Sequence, residues 1–120
     1  MKTILFGIHN KDILEMYAGA ARMCGYEPEI ARTPEEMPRL AQENRYDVVV
    51  MDVNFGNPES EDIEVGEKSW NSVKDRVGRG EARFMSFSGN FLTVEKAKQA
   101  GIPCASNKAF KITDFLKGVK

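Results

Sequence analysis

Asp52 closes the run Asp47-Val48-Val49-Val50-Met51-Asp52, an apolar, β-branched stretch that ends in a carboxylate. Such a run reads as a fully buried, parallel strand. Ligands of open α/β sheets bind just outside the carboxyl ends of the strands, so a carboxylate at this point is placed for chemistry. The plainer alternative is that Asp52 caps the next loop, since Asp is a common turn residue. Two further side chains suit an anion at the same place. Ser88 offers a hydroxyl, and Lys108 offers a point charge of the kind that binds phosphate. In that setting Asp52 is a nucleophile toward a phosphoryl donor and forms an aspartyl phosphate. Ser88 donates a hydrogen bond to a phosphoryl oxygen, and Lys108 neutralises its charge. A Lys108 that faces Asp52 would also favour the ionised carboxylate. Each residue has a structural alternative: Ser88-Gly89 as a simple turn, and Lys108 as an ordinary surface lysine.

These residues converge only if the chain folds as alternating strands and helices, and its periodicity supports that pattern. Strand one is expected over residues 3–8. Asn10 can cap a helix with Leu14, Tyr17, Ala18 and Ala21 on one face, stopped at Gly25. A short strand lies near Glu29 to Ala31. Thr33-Pro34-Glu35-Glu36 reads as a helix start with a capping box, and Met37, Leu40 and Ala41 form that helix's apolar face. After the central strand, residues 53–62 form a polar loop that is long for a βα connection. Its acids, Glu59, Glu61 and Asp62, with Glu64 and Glu67, read as a solvated loop and helix start; a metal-binding carboxylate from this group is the alternative. A third helix carries Trp70, Val73 and Val77 inward and ends near Gly78 or Gly80. Strand four spans about 83–87, and Ser88-Gly89-Asn90 turns out of it. Then come a helix over 93–100, a strand near 103–106, and a last helix with Ile112, Phe115, Leu116 and Val119 on one face. The expectation is an α/β fold, a doubly wound five-stranded parallel sheet in the order 2-1-3-4-5. One domain covers 1–120.

Composition narrows the function classes. A chain of 120 residues suits one core. A net charge of -1 argues against a general nucleic-acid or membrane-surface binder. No apolar run approaches the roughly 20 residues needed to span a bilayer, and the first residues lack a signal-peptide cleavage site. A cytoplasmic protein is expected. Cys24 and Cys104 lack metal-ligand spacing and read as buried free thiols. No Gly-rich phosphate loop is present.

In order and spacing, the motifs resemble the receiver domains of two-component response regulators, the CheY-like family with a flavodoxin-like fold. Val49-Val50-Met51-Asp52 is similar to the phosphoacceptor strand, Phe87-Ser88-Gly89 to the end of strand four with its switch hydroxyl, and Lys108-Ala109-Phe110 to the family's Lys-Pro-Phe. Ala100-Gly101 falls where the family commonly has Ala-Gly. The resemblance covers nearly the whole chain. It implies phosphorelay signalling through protein contacts, with a histidine kinase or phosphotransfer protein upstream and a protein partner downstream. The chain ends with its last helix, so the expected output acts through a partner. Catalysis beyond self-phosphorylation and dephosphorylation at Asp52 is not expected.

The departures are specific. The family's adjacent acids after strand one, which help bind magnesium, fall on Ile8 and His9. That leaves Asp52, the backbone carbonyl of Asn54, and Asp12 or His9 as candidate metal contacts. Magnesium demands near-ideal octahedral oxygen geometry, so binding is expected to be weak or absent and phosphorylation slowed or absent. His9 reads either as a metal ligand or proton carrier, or as a polar loop residue. The aromatic switch position corresponds to Ala105. Two rival functions follow: a phosphorylation-independent pseudo-receiver that docks on a partner with Asp52 and Lys108 as a structural ion pair, and a small flavodoxin-like enzyme or ligand-binding domain.

Overall fold

The computed structural model describes residues 2–56 and 60–118. Along them run β1 (Lys2–Gly7), α1 (Lys11–Met23), β2 (Tyr26–Ile30), α2 (Glu36–Glu43), β3 (Val48–Asp52), α3 (Glu64–Gly78), β4 (Arg83–Ser88), α4 (Phe91–Gln99), β5 (Cys104–Ser106) and α5 (Ile112–Leu116). All strand pairs are parallel, in the order β2-β1-β3-β4-β5. This is the doubly wound sheet expected from the sequence. Val119 of the predicted last helix and Glu59 of the predicted acidic loop lie outside the described residues.

Strand alternation divides the core into two layers. Ile4 and Phe6 of β1, with Val48 and Val50 of β3, face α1 and α5, where they meet Tyr17, Ala18, Ala21, Ile112 and Leu116. Leu5, Val49 and Met51 face the opposite side, against Met37, Ala41 and Val73 of α2 and α3 and Val94 and Ala97 of α4. Val48 through Met51 are all buried, which explains why β3 reads as a continuous apolar run. Trp70 packs its ring on Phe84 at 5.1 Å and belongs to this core.

Local chemistry sets the helix starts. Asn10 accepts the Ile13 N–H at 3.0 Å, as its capping role predicts. Thr33 Oγ1 accepts the Glu36 N–H at 3.1 Å, and the Glu36 carboxylate reaches back to the Arg32 N–H at 3.0 Å. The return bond of this capping box is thus made one residue earlier than in the usual form. α4 begins two residues before its predicted start, because Asn90 accepts the N–H groups of Leu92 and Thr93. β2 is also longer than predicted and includes Pro28. It is an edge strand, where the missing N–H of proline leaves no ladder bond unmade.

The segment after β3 departs from the polar loop expected. Val53, Asn54 and Phe55 are buried. Gly56 turns with φ +87°, a conformation that favours glycine, and a side chain there would collide with Pro34. α3 then packs directly on this segment. The Gly66 N–H donates to the Val53 carbonyl at 3.2 Å, and a Cβ on Gly66 would lie 2.7 Å from that oxygen. Gly66→Ala should therefore destabilise the fold by about 1–3 kcal/mol through overpacking, although alanine in a helix is favoured over glycine by about 1 kcal/mol. Urea unfolding of the two proteins checks this; a midpoint raised by the substitution would contradict the packing argument.

Candidate functional site

The carboxyl ends of β1, β3 and β4 open onto a crevice of about 330 Å³, beside which β5 ends. Ile8, His9, Asn10, Asp52, Asn54, Ser88, Asn90 and Asn107 are among the residues that line it. Asp52 sits at its floor, and its side chain is 14% exposed. β3 places it there through fixed pairing with both neighbours, Met51 opposite Gly7 of β1 and Asp52 opposite Phe87 of β4. The crevice also receives the N-terminal ends of α1 and α4, capped by Asn10 and Asn90. Helix N-termini carry partial positive charge and favour an anion nearby.

The principal partner of Asp52 is His9. Its backbone N–H donates to Asp52 Oδ2 at 2.7 Å. Its ring Nε2 lies 3.8 Å from the same oxygen, an ion pair when the imidazole is protonated. Nε2 also approaches Asn54 Oδ1 at 3.4 Å, and Nδ1 accepts the Gly56 N–H at 3.3 Å. With Nδ1 as acceptor, the neutral ring carries its proton on Nε2 and donates to Asn54. Burial pushes the Asp52 carboxyl above its ordinary range, and the His9 N–H and the His9 charge pull it partly back. Burial, together with the nearby charge of Asp52, likewise raises the Tyr17 hydroxyl.

Ser88 is buried and lines the crevice as the sequence suggests. Its Oγ accepts the Asn90 N–H at 3.1 Å, which leaves the hydroxyl hydrogen to donate. Lys108 is placed differently from the sequence expectation: it makes no ion pair with Asp52. The Asn107 N–H donates to the Ser88 carbonyl at 3.0 Å, which carries the β4–β5 ladder one position past Ser106. Asn107, not Lys108, therefore reaches the crevice. Lys108 follows in a turn closed by its own N–H on Ser106 Oγ at 3.3 Å. Its exposed side chain borders an adjoining cleft with Phe91, Glu95 and Lys98, which shares Ser88, Gly89 and Asn107 with the crevice.

The described residues of the crevice offer few oxygen ligands to magnesium. Among the described residues, Asp52 is the one carboxylate that lines the crevice. Ile8 is buried and apolar, and Asp12 is exposed in the first turn of α1, away from the crevice lining. Among the described residues no three His, Cys, Asp or Glu side chains converge. An octahedral cation bound through oxygens at about 2.0–2.1 Å would find one carboxylate here, and His9 already holds one of its oxygens.

The strand ends expected from the sequence bring Asn10 and Asn107 to the crevice, and the structure adds the side chains of Asn54 and Asn90. Asn10 is legible as a helix cap, whereas Asn90 reads as a turn residue and proves to cap α4. The side chain of Asn54 is held by donating to the Ser60 carbonyl at 2.7 Å. Across the sheet, Phe110 stacks on Phe87 at 5.4 Å, and Tyr17 meets both rings edge-on. Ala105 borders an open groove with Arg83, Met85, Phe110 and Phe115.

The raised carboxyl of Asp52 has a sign that can be measured. The fold favours the protonated acid, so stability from this group is complete below the ordinary carboxylate range and is lost as pH rises through the raised value. Asp52→Asn should therefore raise the melting temperature at neutral pH, with the gain shrinking as the buffer is made acidic. Thermal melts of both proteins across pH check this; a variant that melts lower at neutral pH would show that the carboxylate is a net stabiliser.

No family model matches the sequence, and neither does any curated protein. Solved structures do match. A CheY-like response regulator receiver domain from Methanospirillum hungatei JF-1 superposes with a TM-score of 0.69 at 20% identity, covering 98% of this chain and 90% of that one. A two-component response regulator from Clostridium difficile gives 0.70 at 15% identity, covering 98% and 92%. The receiver domain of the sensor histidine kinase PA1611 from Pseudomonas aeruginosa PAO1, solved with magnesium coordinated in its active site cleft, gives 0.68 at 18% identity, covering 97% and 92%. At these identities the shared property is the backbone, and it is shared over nearly the full length: the chain has the fold of the CheY-like response regulator receiver domains.

Proposed function

We propose that this chain is an atypical receiver domain that accepts a phosphoryl group on Asp52 and signals through protein contacts. The observation that carries the reading is the position of Asp52 at the carboxyl end of β3, on the floor of a crevice that faces Ser88. One carboxylate oxygen, Oδ2, is held by the His9 N–H. The other is the nucleophile. It attacks phosphorus in line, the bond from phosphorus to the donor atom breaks, and the donor leaves with the electron pair. Ser88 donates its hydroxyl hydrogen to a phosphoryl oxygen, and the two capped helix ends favour the added negative charge. The new group brings charge and strong acceptor oxygens to a site tied to the turn at residues 53–56, which a partner can read. In this reading the upstream partner is a histidine kinase or phosphotransfer protein, the downstream partner is a protein, and both act in the cytoplasm. Among the described residues no helix is long and apolar enough to cross a membrane.

Two observations favour a second reading. The imidazole of His9 occupies the side of Asp52 toward the turn, and Lys108 stands outside the crevice. Both support a pseudo-receiver that docks without phosphorylation. Incubation with acetyl phosphate followed by intact-mass measurement separates the two. The phosphoacceptor reading expects the mass of one phosphoryl group on the wild type and none on Asp52→Asn. An unchanged wild-type mass, or equal gain on both proteins, would overturn it in favour of the pseudo-receiver.

A further inference from the structure

The imidazole of His9 is fastened at both ends. Nε2 meets Asn54 Oδ1 at 3.4 Å and Asp52 Oδ2 at 3.8 Å, while Nδ1 accepts the Gly56 N–H at 3.3 Å. One face of the ring packs near Phe55, with centroids 5.7 Å apart. The backbone N–H of the same residue holds Asp52 Oδ2. On the far side Gly56 abuts Pro34. The ring therefore lies between the acceptor carboxylate and the turn that follows β3. A cation shared by a strand-end carboxylate and that turn would have to enter the same space, and it would need oxygen donors that Ile8 and His9 do not supply.

We propose that His9 is a resident substitute for a divalent cation: it closes the Asp52 site to metal and ties the carboxylate to the β3–α3 turn through its own hydrogen bonds. The substitution is one of position. The ring fills the space between Asp52 and the turn at Asn54 and Gly56, and any chemistry at Asp52 then proceeds without metal. This deepens the phosphoacceptor reading, but its metal-binding test stands independently of it.

The test uses the full chain with nitrogen-15 labelling and Mn²⁺ as the probe. In the wild type the amide signals of His9, Asp52 and Asn54 should broaden no more than those of remote exposed residues. In Ile8→Asp/His9→Asp, which returns two carboxylates to the end of β1, they should broaden selectively. Selective broadening in the wild type overturns the proposal. A second variant, His9→Ala, keeps the backbone bond to Asp52 but removes the ring. The Gly56 amide should then exchange with solvent several-fold faster, since the loss of one hydrogen bond corresponds to about 1 kcal/mol. Unchanged exchange overturns the tie to the turn, whether or not the double variant folds. Phosphorylation by acetyl phosphate should reach the same extent with Mg²⁺ and with a chelator; dependence on Mg²⁺ also overturns the proposal. Absence of phosphorylation in both conditions removes the phosphoacceptor reading instead, and the Mn²⁺ result then decides the role of His9.

Discussion

A strand buried on both faces and paired on both edges has no freedom of register, and β3 is such a strand. Val48, Val49, Val50 and Met51 are withdrawn from water, and each is aligned with a residue of β1 and of β4. A slip of one residue would turn each of these side chains toward the wrong helix layer. The position of Asp52 is a consequence. It follows the four buried residues directly, so its carboxylate is held where the strand leaves the core, at the floor of the crevice. The same register brings the end of β1 alongside, which is why the backbone N–H of His9 meets Asp52 Oδ2.

Much of this was legible in the sequence, because the relevant signals are local. The apolar run of β3, the caps at Asn10 and Thr33 and the apolar faces of α1 and α3 follow from short-range periodicity and side-chain chemistry. What was not legible depends on long-range pairing. Residues 53–55 look like loop by composition, yet α3 closes over them, and Gly66 permits the approach. β2 begins earlier than its apolar residues indicate because pairing with β1 recruits Tyr26 through Pro28. Lys108 follows the end of the β4–β5 ladder in a turn and makes no ion pair with Asp52, a placement that the sequence alone does not reveal.

The crevice is lined more by dipoles than by charges. Asn10, Asn54, Asn90 and Asn107 surround Asp52, and amides can both donate and accept. Such a lining tolerates a change of charge at its centre without requiring a fixed counter-ion. It also leaves Asp52 with few sources of stabilisation besides His9, in keeping with the raised carboxyl. Ala105 leaves an open groove where a larger side chain would fill space, with the stacked pair of Phe87 and Phe110 behind it. The hydrogen bonds of His9 link Asp52 instead to Gly56, which lies against Pro34.

The two outer strands carry a consequence for association. β2 presents Glu27, Pro28 and Glu29 along its free edge, and β5 is only three residues long. Proline interrupts the row of amide donors that an incoming strand would need, paired carboxylates repel a second acidic edge, and a three-residue ladder offers little to extend. Growth of the sheet from chain to chain is thereby discouraged at both ends. Partners are left with side-chain surfaces, where recognition can be reversible and selective and is less prone to propagate into fibres.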